Sequence, residues 1–276
     1  MRLAIIGGGG IGQVYKTGES NPHEVKVYDT DPALSDFATF DEFMAGDRPK
    51  HYIIATPNFT HSFYVEKILS ADPYAHIFVE KPGLRNVQEW ITYMPNITMV
   101  KNNLYRLNVE DLKPRFSGRS CRITWHENNR VPCPGGWFTQ KDKAFGGVGQ
   151  DLMPHLLHFY FYIFGYEGRL VSVKKEQRTD KILPSKYGSF DPSGIFNVET
   201  FAELTFKHKD FEVILSADWD APVEKRRIEN DDDKWSFQLC PEIAYVRMLN
   251  SRQFTNDYVN HTLMDVKVHQ VLDILK

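Results

Sequence analysis

The sequence predicts an α/β protein with a doubly wound parallel sheet at its N-terminus and a C-terminal α+β domain with an open, mainly antiparallel sheet. Three observations carry this expectation. A short apolar run at residues 3–6, the pattern of a buried central parallel strand, opens directly into Gly7-Gly8-Gly9-Gly10-Ile11-Gly12. Strand-like and helix-like segments then alternate over about the first hundred residues. After Leu112 the alternation stops and paired strand signals take over. The expected division is one domain over 1–112 and a second over 113–276.

The elements follow in order. Residues 11–18 suit a first helix ended by Gly18, and 24–28 a second strand ending before Asp29. A short helix over 40–44 stops at Gly46. Residues 52–55 form a buried strand that breaks at Thr56-Pro57-Asn58, and 60–70 a helix. Residues 77–79 form a strand that stops at Glu80-Lys81-Pro82; a helix over 87–93 and a strand over 97–100 complete the first half. The second half offers a strand at 119–125, a long polar loop at 128–149 and an apolar helix at 151–164. A hairpin follows, with strands 198–206 and 211–219 about the turn His208-Lys209-Asp210. Another strand fits 235–239. The last helix, 256–275, is expected to bury Val259, Leu263, Val268, Leu272 and Leu275 on one face.

Composition narrows the classes. Of 276 residues, 42% are hydrophobic and 25% charged, as in ordinary soluble domains. A net charge of −3 gives no electrostatic reason for a nucleic-acid or membrane partner. Cys121, Cys133 and Cys240 form neither a disulfide framework nor a zinc spacing, which favours a reducing compartment. No apolar run approaches the roughly 18 residues of a membrane span. The chain opens on a strand and glycine turn instead of a secretory signal, so the cytoplasm is expected.

The glycine run carries chemistry. Gly7, Gly9 and Gly12 fit G-x-G-x-x-G, the strand–turn–helix of a Rossmann domain that holds a dinucleotide pyrophosphate. Gly7 permits the turn, Gly9 lets backbone approach phosphate, and Gly12 lets the helix pack against the sheet. Gly10 and Ile11 lie where the turn meets that helix, whose free N–H groups favour an anion. Asp29, 17 positions after Gly12, is placed to bind an adenosine ribose. A carboxylate there repels a 2′-phosphate, so NAD is expected over NADP. Lys81 could hold a substrate hydroxyl or shuttle its proton, or simply be a solvated turn lysine. Asp151, His155 and His158 share one face if 151–164 is a single helix. His155 suits an acid/base role and Asp151 could orient it or hold substrate; alternatively Asp151 caps a helix start. No nearby cysteine or glutamate completes a metal site with them, so none is expected. Arg106, near the domain junction, is a candidate contact for a phosphate-bearing substrate.

Together these pieces resemble the Gfo/Idh/MocA family of nicotinamide-dependent oxidoreductases. The landmarks are IIGGGGIG at the start, IIATPNFTHS at 53–62, FVEKPG at 78–83, NLYR ending at Arg106, and GGVGQDLMPHLLHFYFYIFG at 146–165. The resemblance implies a nicotinamide in the cleft between the domains. It implies that Lys81 polarises the substrate oxygen, that His155 exchanges its proton, and that Asp151 orients substrate or His155. Thr56, Pro57, Asn58 and His61 would line the cofactor, with Glu80 nearby. His158 stands where the family often has an acid, and is a candidate substrate contact. Hydride would pass to or from a hydroxyl/keto carbon of a sugar, sugar nucleotide or cyclitol, in a dimer or tetramer. A non-catalytic nucleotide-binding regulator and an imine or tetrapyrrole reductase are the alternatives on this scaffold.

Overall fold

The computed structural model describes residues 2–17, 24–46, 49, 51–178, 191, 193–251 and 258–276. The expected end of the first helix at Gly18 and the start of the last helix at 256 lie outside them. The chain divides into two compact units: Met1–Arg106 with Cys240–His269, and Leu107–Leu239 with Gln270–Lys276.

The first unit contains β1 (Arg2–Ile6), α1 (Gly10–Thr17), β2 (Glu24–Tyr28), α2 (Phe40–Ala45), β3 (His51–Ile54), α3 (His61–Ala71), β4 (Ile77–Val79), α4 (Val87–Tyr93) and β5 (Ile97–Met99). All five strands are parallel, in the order β2-β1-β3-β4-β5. β3, β4 and β5 are buried along their whole length, which is why they read as unbroken apolar runs. The helices begin where the side chains dictate. Thr39 accepts from the Glu42 N–H and Asn86 from the Glu89 N–H, each satisfying a donor at a helix start. Strand order reverses between β1 and β3, so the crevice that binds ligands in open α/β sheets lies beyond their carboxyl ends.

The second unit holds α5 (Leu112–Phe116), β6 (Cys121–His126), α6 (Lys141–Ala144), α7 (Val148–Asp151), α8 (Met153–Phe164), β7 (Arg169–Glu176), β8 (Phe201–Lys207), β9 (Glu212–Asp218), β10 (Lys225–Glu229) and β11 (Lys234–Ser236). Its sheet runs β11-β10-β6-β9-β8-β7, parallel only between β6 and β9. The expected mainly antiparallel sheet is therefore present, with β7 and β10 added to it. The single helix expected over 151–164 is not: Leu152 separates α7 from α8 and Asp151 closes α7. Pro154 falls in the first turn of α8, where its missing N–H leaves no bond unmade.

The chain then adds α9 (Glu242–Asn250) and α10 (Tyr258–Ile274). Tyr245, Met248 and Leu249 of α9 complete the core formed by Leu3, Ile5, Tyr15, Val27, Ile53, Phe78 and Val100. Val268 and Leu272 of α10, and Leu275 just beyond it, are buried as expected, whereas Leu263 is 41% exposed; the side chain of Val259 lies outside the described residues. The buried face carries two polar residues instead, Asp265 and His269, each 1% exposed. Asp265 makes an ion pair with Lys101 at 2.6 Å and accepts from the Met99 N–H at 3.0 Å. Burial is the main influence on both groups, lowering Lys101 and raising Asp265 to about 6.

At the opposite end of the sheet, His76 lies 3.2 Å from His51 and 3.1 Å from Thr98 Oγ1. Burial, with Lys101 adding repulsion, lowers the His76 pKa to about 4. Its unfolded value is near 6.5, so between those values the unfolded chain binds the extra proton. Stability is thus full above about pH 6.5 and falls as the pH drops toward 4. We expect urea unfolding to show a loss on the order of 1–2 kcal/mol from this group between pH 7 and pH 5. A His76→Gln variant should lose correspondingly less over the same interval.

Candidate active site

The site in the first unit begins where β1 stops. Gly7 has φ of +99°, and a Cβ there would lie 2.6 Å from the Ala55 carbonyl oxygen, so the turn needs glycine. A Cβ on Gly12 would collide with the Gly7 backbone oxygen. Helix α1 therefore starts directly against the end of β1. Gly9 and Gly10 face open space, with nothing within 4 Å of an added Cβ. The turn thus leaves bare backbone at a helix start, next to room for a phosphate. The half-buried Asp29 closes the arrangement: its carboxylate accepts from the Gly8 N–H at 2.6 Å and from the Asp31 N–H at 2.8 Å. The acid is thereby fixed beside the glycine turn, and the exposed Thr30 follows it.

Two further turns end adjacent strands. After β3, Thr56 and Pro57 are half-buried, and Asn58 is buried at the start of a 3-10 turn. His61 opens α3 with no exposed surface. Its Nδ1 lies 2.7 Å from the Gly83 oxygen and its Nε2 2.9 Å from the Thr56 oxygen, so the ring ties this turn to the next one. Burial lowers its pKa, against the two carbonyl contacts, which raise it. A neutral imidazole has one N–H and can donate to only one of the two.

After β4 come Glu80 and Lys81. The buried Glu80 carboxyl accepts from Tyr15 Oη at 2.8 Å and from the Lys81 N–H at 3.3 Å. Burial raises the pKa of both Glu80 and Tyr15. Lys81 is half-buried, and its charge acts on both Glu80 and His61. Arg106 is 9% exposed and donates through Nε to Asn103 Oδ1 at 2.7 Å.

In the second unit, the glycine pair before Asp151 has a structural cause. A Cβ on Gly147 would collide with the Glu199 backbone oxygen. The Glu199 carboxylate accepts from the N–H groups of Gly147 and Gly149 at 2.9 and 3.0 Å, fixing the start of α7. Asp151 accepts from the Trp219 indole N–H at 3.0 Å. It does not cap α8, whose N-cap is Leu152. His155, 7% exposed, stacks on Trp125 with ring centroids 5.2 Å apart. The indole N–H of Trp125 donates to Glu127 at 2.7 Å, and Arg226 holds that carboxylate through Nε and Nη2 at 3.1 and 2.6 Å. His158 lies one turn further on with no exposed surface. Among the described residues, no group of three or more His, Cys, Asp or Glu is arranged to hold a metal ion.

Sequence reading missed Glu199, Trp125, Glu127, Trp219 and Tyr15. Each acts across strand pairings or helix packing, and none lies within a motif. Trp125 and Trp219, each at the end of a predicted strand, had the clearest signal.

A parallel sheet with a glycine turn at its switch point and a carboxylate fixed beside that turn defines a Rossmann dinucleotide-binding protein. Residues 1–95 match the Gfo/Idh/MocA family model, described as "Oxidoreductase family, NAD-binding Rossmann fold". One curated relative is the "Putative UDP-kanosamine synthase oxidoreductase subunit" of Amycolatopsis mediterranei (strain S699). It is 31% identical over 124 residues, which make up 41% of this chain and 34% of that protein. The chain therefore matches about a third of that relative's length. Among solved structures, GenD2 from gentamicin A biosynthesis in complex with NAD is 16% identical with a TM-score of 0.77. The match covers 99% of this chain and 92% of the other. Levoglucosan dehydrogenase in complex with NADH is 15% identical with a TM-score of 0.73, over 99% and 95%. These likenesses show the fold of the whole chain.

The glycine contacts give a direct test. Gly12→Ala forces backbone apart and should cost roughly 2 kcal/mol or more in denaturant unfolding. Gly10→Ala meets open space at a helix start and should change stability by less than about 1 kcal/mol.

Proposed function

We propose that this chain is an NAD-dependent dehydrogenase that moves a hydride to or from a hydroxyl/keto carbon of a sugar, sugar nucleotide or cyclitol. One observation carries the reading above all. Three turns with site chemistry, Gly7–Gly12, Thr56–Asn58 and Glu80–Lys81, end the neighbouring strands β1, β3 and β4 at one edge of one sheet. The names of the relatives support the substrate class: one is a UDP-kanosamine synthase oxidoreductase subunit, another a levoglucosan dehydrogenase.

In this reading the backbone of Gly9, Gly10 and Ile11 holds the coenzyme pyrophosphate, and Asp29 accepts from the adenosine ribose hydroxyls. The open space beside Gly9 and Gly10 fits that group. Thr56, Pro57, Asn58 and Glu80 flank the nicotinamide end. The coenzyme, when bound, supplies or accepts the hydride. Lys81 donates to the substrate oxygen and steadies the charge that grows there. His155 takes the hydroxyl proton during oxidation and returns it during reduction. Asp151, held by the Trp219 indole, orients the substrate, and Arg106 meets an anionic group on it. His61 and His158 are fully buried, and the reading gives them supporting roles instead of contacts. Assembly into a dimer or tetramer belongs to the same reading.

Activity is tested with NAD⁺ and levoglucosan, myo-inositol, D-glucose 6-phosphate and UDP-glucose, following absorbance of NADH. Lys81→Ala should lower kcat by about 100-fold or more, while NADH binding stays within about threefold. NADH binding with no turnover of any probe would favour the regulator. Replacing Asp29 with Ser and Thr30 with Arg should shift preference toward NADP(H) in binding titrations. Tighter binding of NADPH than NADH by the wild type would overturn the role given to Asp29.

A further inference from the structure

The turn that carries Lys81 is held from both sides by buried imidazoles. On one side His61 Nδ1 meets the Gly83 oxygen at 2.7 Å. On the other, His269 Nε2 accepts from the Leu84 N–H at 3.2 Å, across 185 residues of sequence. The His269 tautomer follows from its other nitrogen, which lies 2.8 Å from the Asp265 carbonyl oxygen and so carries the proton. That leaves Nε2 with a lone pair directed at Leu84. The ring is stacked on Trp90 with centroids 4.3 Å apart, and a Cβ on Gly83 would lie 2.5 Å from its Nε2. Gly83, at φ +89°, is therefore glycine both for its conformation and for this ring. The helix that brings His269 is itself anchored one turn earlier by Asp265 on Lys101 and Met99.

We propose that His61 and His269 are positioning residues for Lys81, fixing the backbone two and three residues beyond it so that the ammonium is held in one place. The proposal rests on the reading that Lys81 touches the substrate. A ring that merely filled the core would be equally stacked, but it would have no reason to offer a lone pair to a turn N–H.

The test uses the full chain and three variants. His269→Leu removes the acceptor, and His269→Gln restores one near the same point. Lys81→Ala provides the background that separates positioning from general damage. We expect His269→Leu to bind NADH within threefold of wild type yet lose 10- to 100-fold in kcat on whichever probe the wild type oxidises. His269→Gln should recover most of that loss. In the Lys81→Ala background His269→Leu should change turnover less than twofold, since the group it positions is gone. A wild-type kcat in His269→Leu, or a full multiplicative loss on top of Lys81→Ala, overturns the proposal. Native-state hydrogen exchange decides independently of substrate and of whether variants fold. In the wild type the Leu84 amide should exchange at least tenfold more slowly than the same amide in an unstructured peptide, and rapid exchange at Leu84 overturns the clamp. A Lys81→Ala enzyme with undiminished turnover would instead sink the reading of Lys81 as a substrate contact, leaving the exchange result to judge the clamp.

Discussion

The ion pair between Lys101 and Asp265 is the constraint on which the first unit depends. Both side chains are shielded from water, at 0% and 1% exposure, and among the described residues each charge is compensated by the other and by the Met99 backbone. Removing one partner of such a pair costs on the order of 3–5 kcal/mol, because the survivor is left charged or must neutralise in the interior. The pair thus commits the middle of the last helix to the end of β5. An apolar contact there would tolerate sliding by a residue; a buried charge pair with a backbone N–H in the same bond set does not. The fixed register matters because His269 lies one turn further along the same helix and faces the Lys81 turn.

The glycine turn shows the same logic at backbone level. Gly7 and Gly12 are glycines because backbone occupies the space a Cβ would need, whereas Gly9 and Gly10 face nothing. One motif therefore contains two kinds of constraint, internal packing and room left for something else. Asp29 joins them, since its carboxylate organises the Gly8 and Asp31 amides and holds a negative charge at the end of β2. In the proposed function, that charge is what disfavours a 2′-phosphate there.

Much of this architecture was legible in the sequence, and the reasons differ by region. Buried parallel strands announce themselves as apolar runs, so β1, β3, β4 and β5 were found within a residue or two. β7 was not found: it is an edge strand whose Val171 and Val173 face outward between charged residues, so no buried face marks it. β10 is likewise hidden by the charged residues around Ile228, Lys225-Arg226-Arg227 before it and Glu229 after. The continuous helix expected from 151 fails because hydrophobic periodicity does not register a one-residue break at Leu152. Asp265 and His269 were invisible for a sharper reason. They sit on the buried face of α10, and a periodic apolar pattern treats polar residues there as solvent-facing. Their partners, Met99, Lys101 and Leu84, lie far away in sequence.

The two candidate catalytic motifs share a division of labour. Each keeps its chemical groups within a few residues, Glu80 with Lys81 in one and Asp151 with His155 in the other. Each depends for its shape on a side chain far along the chain. Glu199 fills the amides of Gly147 and Gly149, and His269 takes the amide of Leu84. In both cases the distant group accepts from turn N–H groups that a glycine leaves accessible, and in both cases a Cβ on that glycine would strike the distant residue. The glycines of these motifs are therefore imprints of residues elsewhere. A turn must be irregular to aim a side chain, an irregular turn leaves buried amides without ladder partners, and such amides require an acceptor. Where the chain bends to present chemistry, some other part of it must supply the missing hydrogen bond, and the glycine marks where that part comes in.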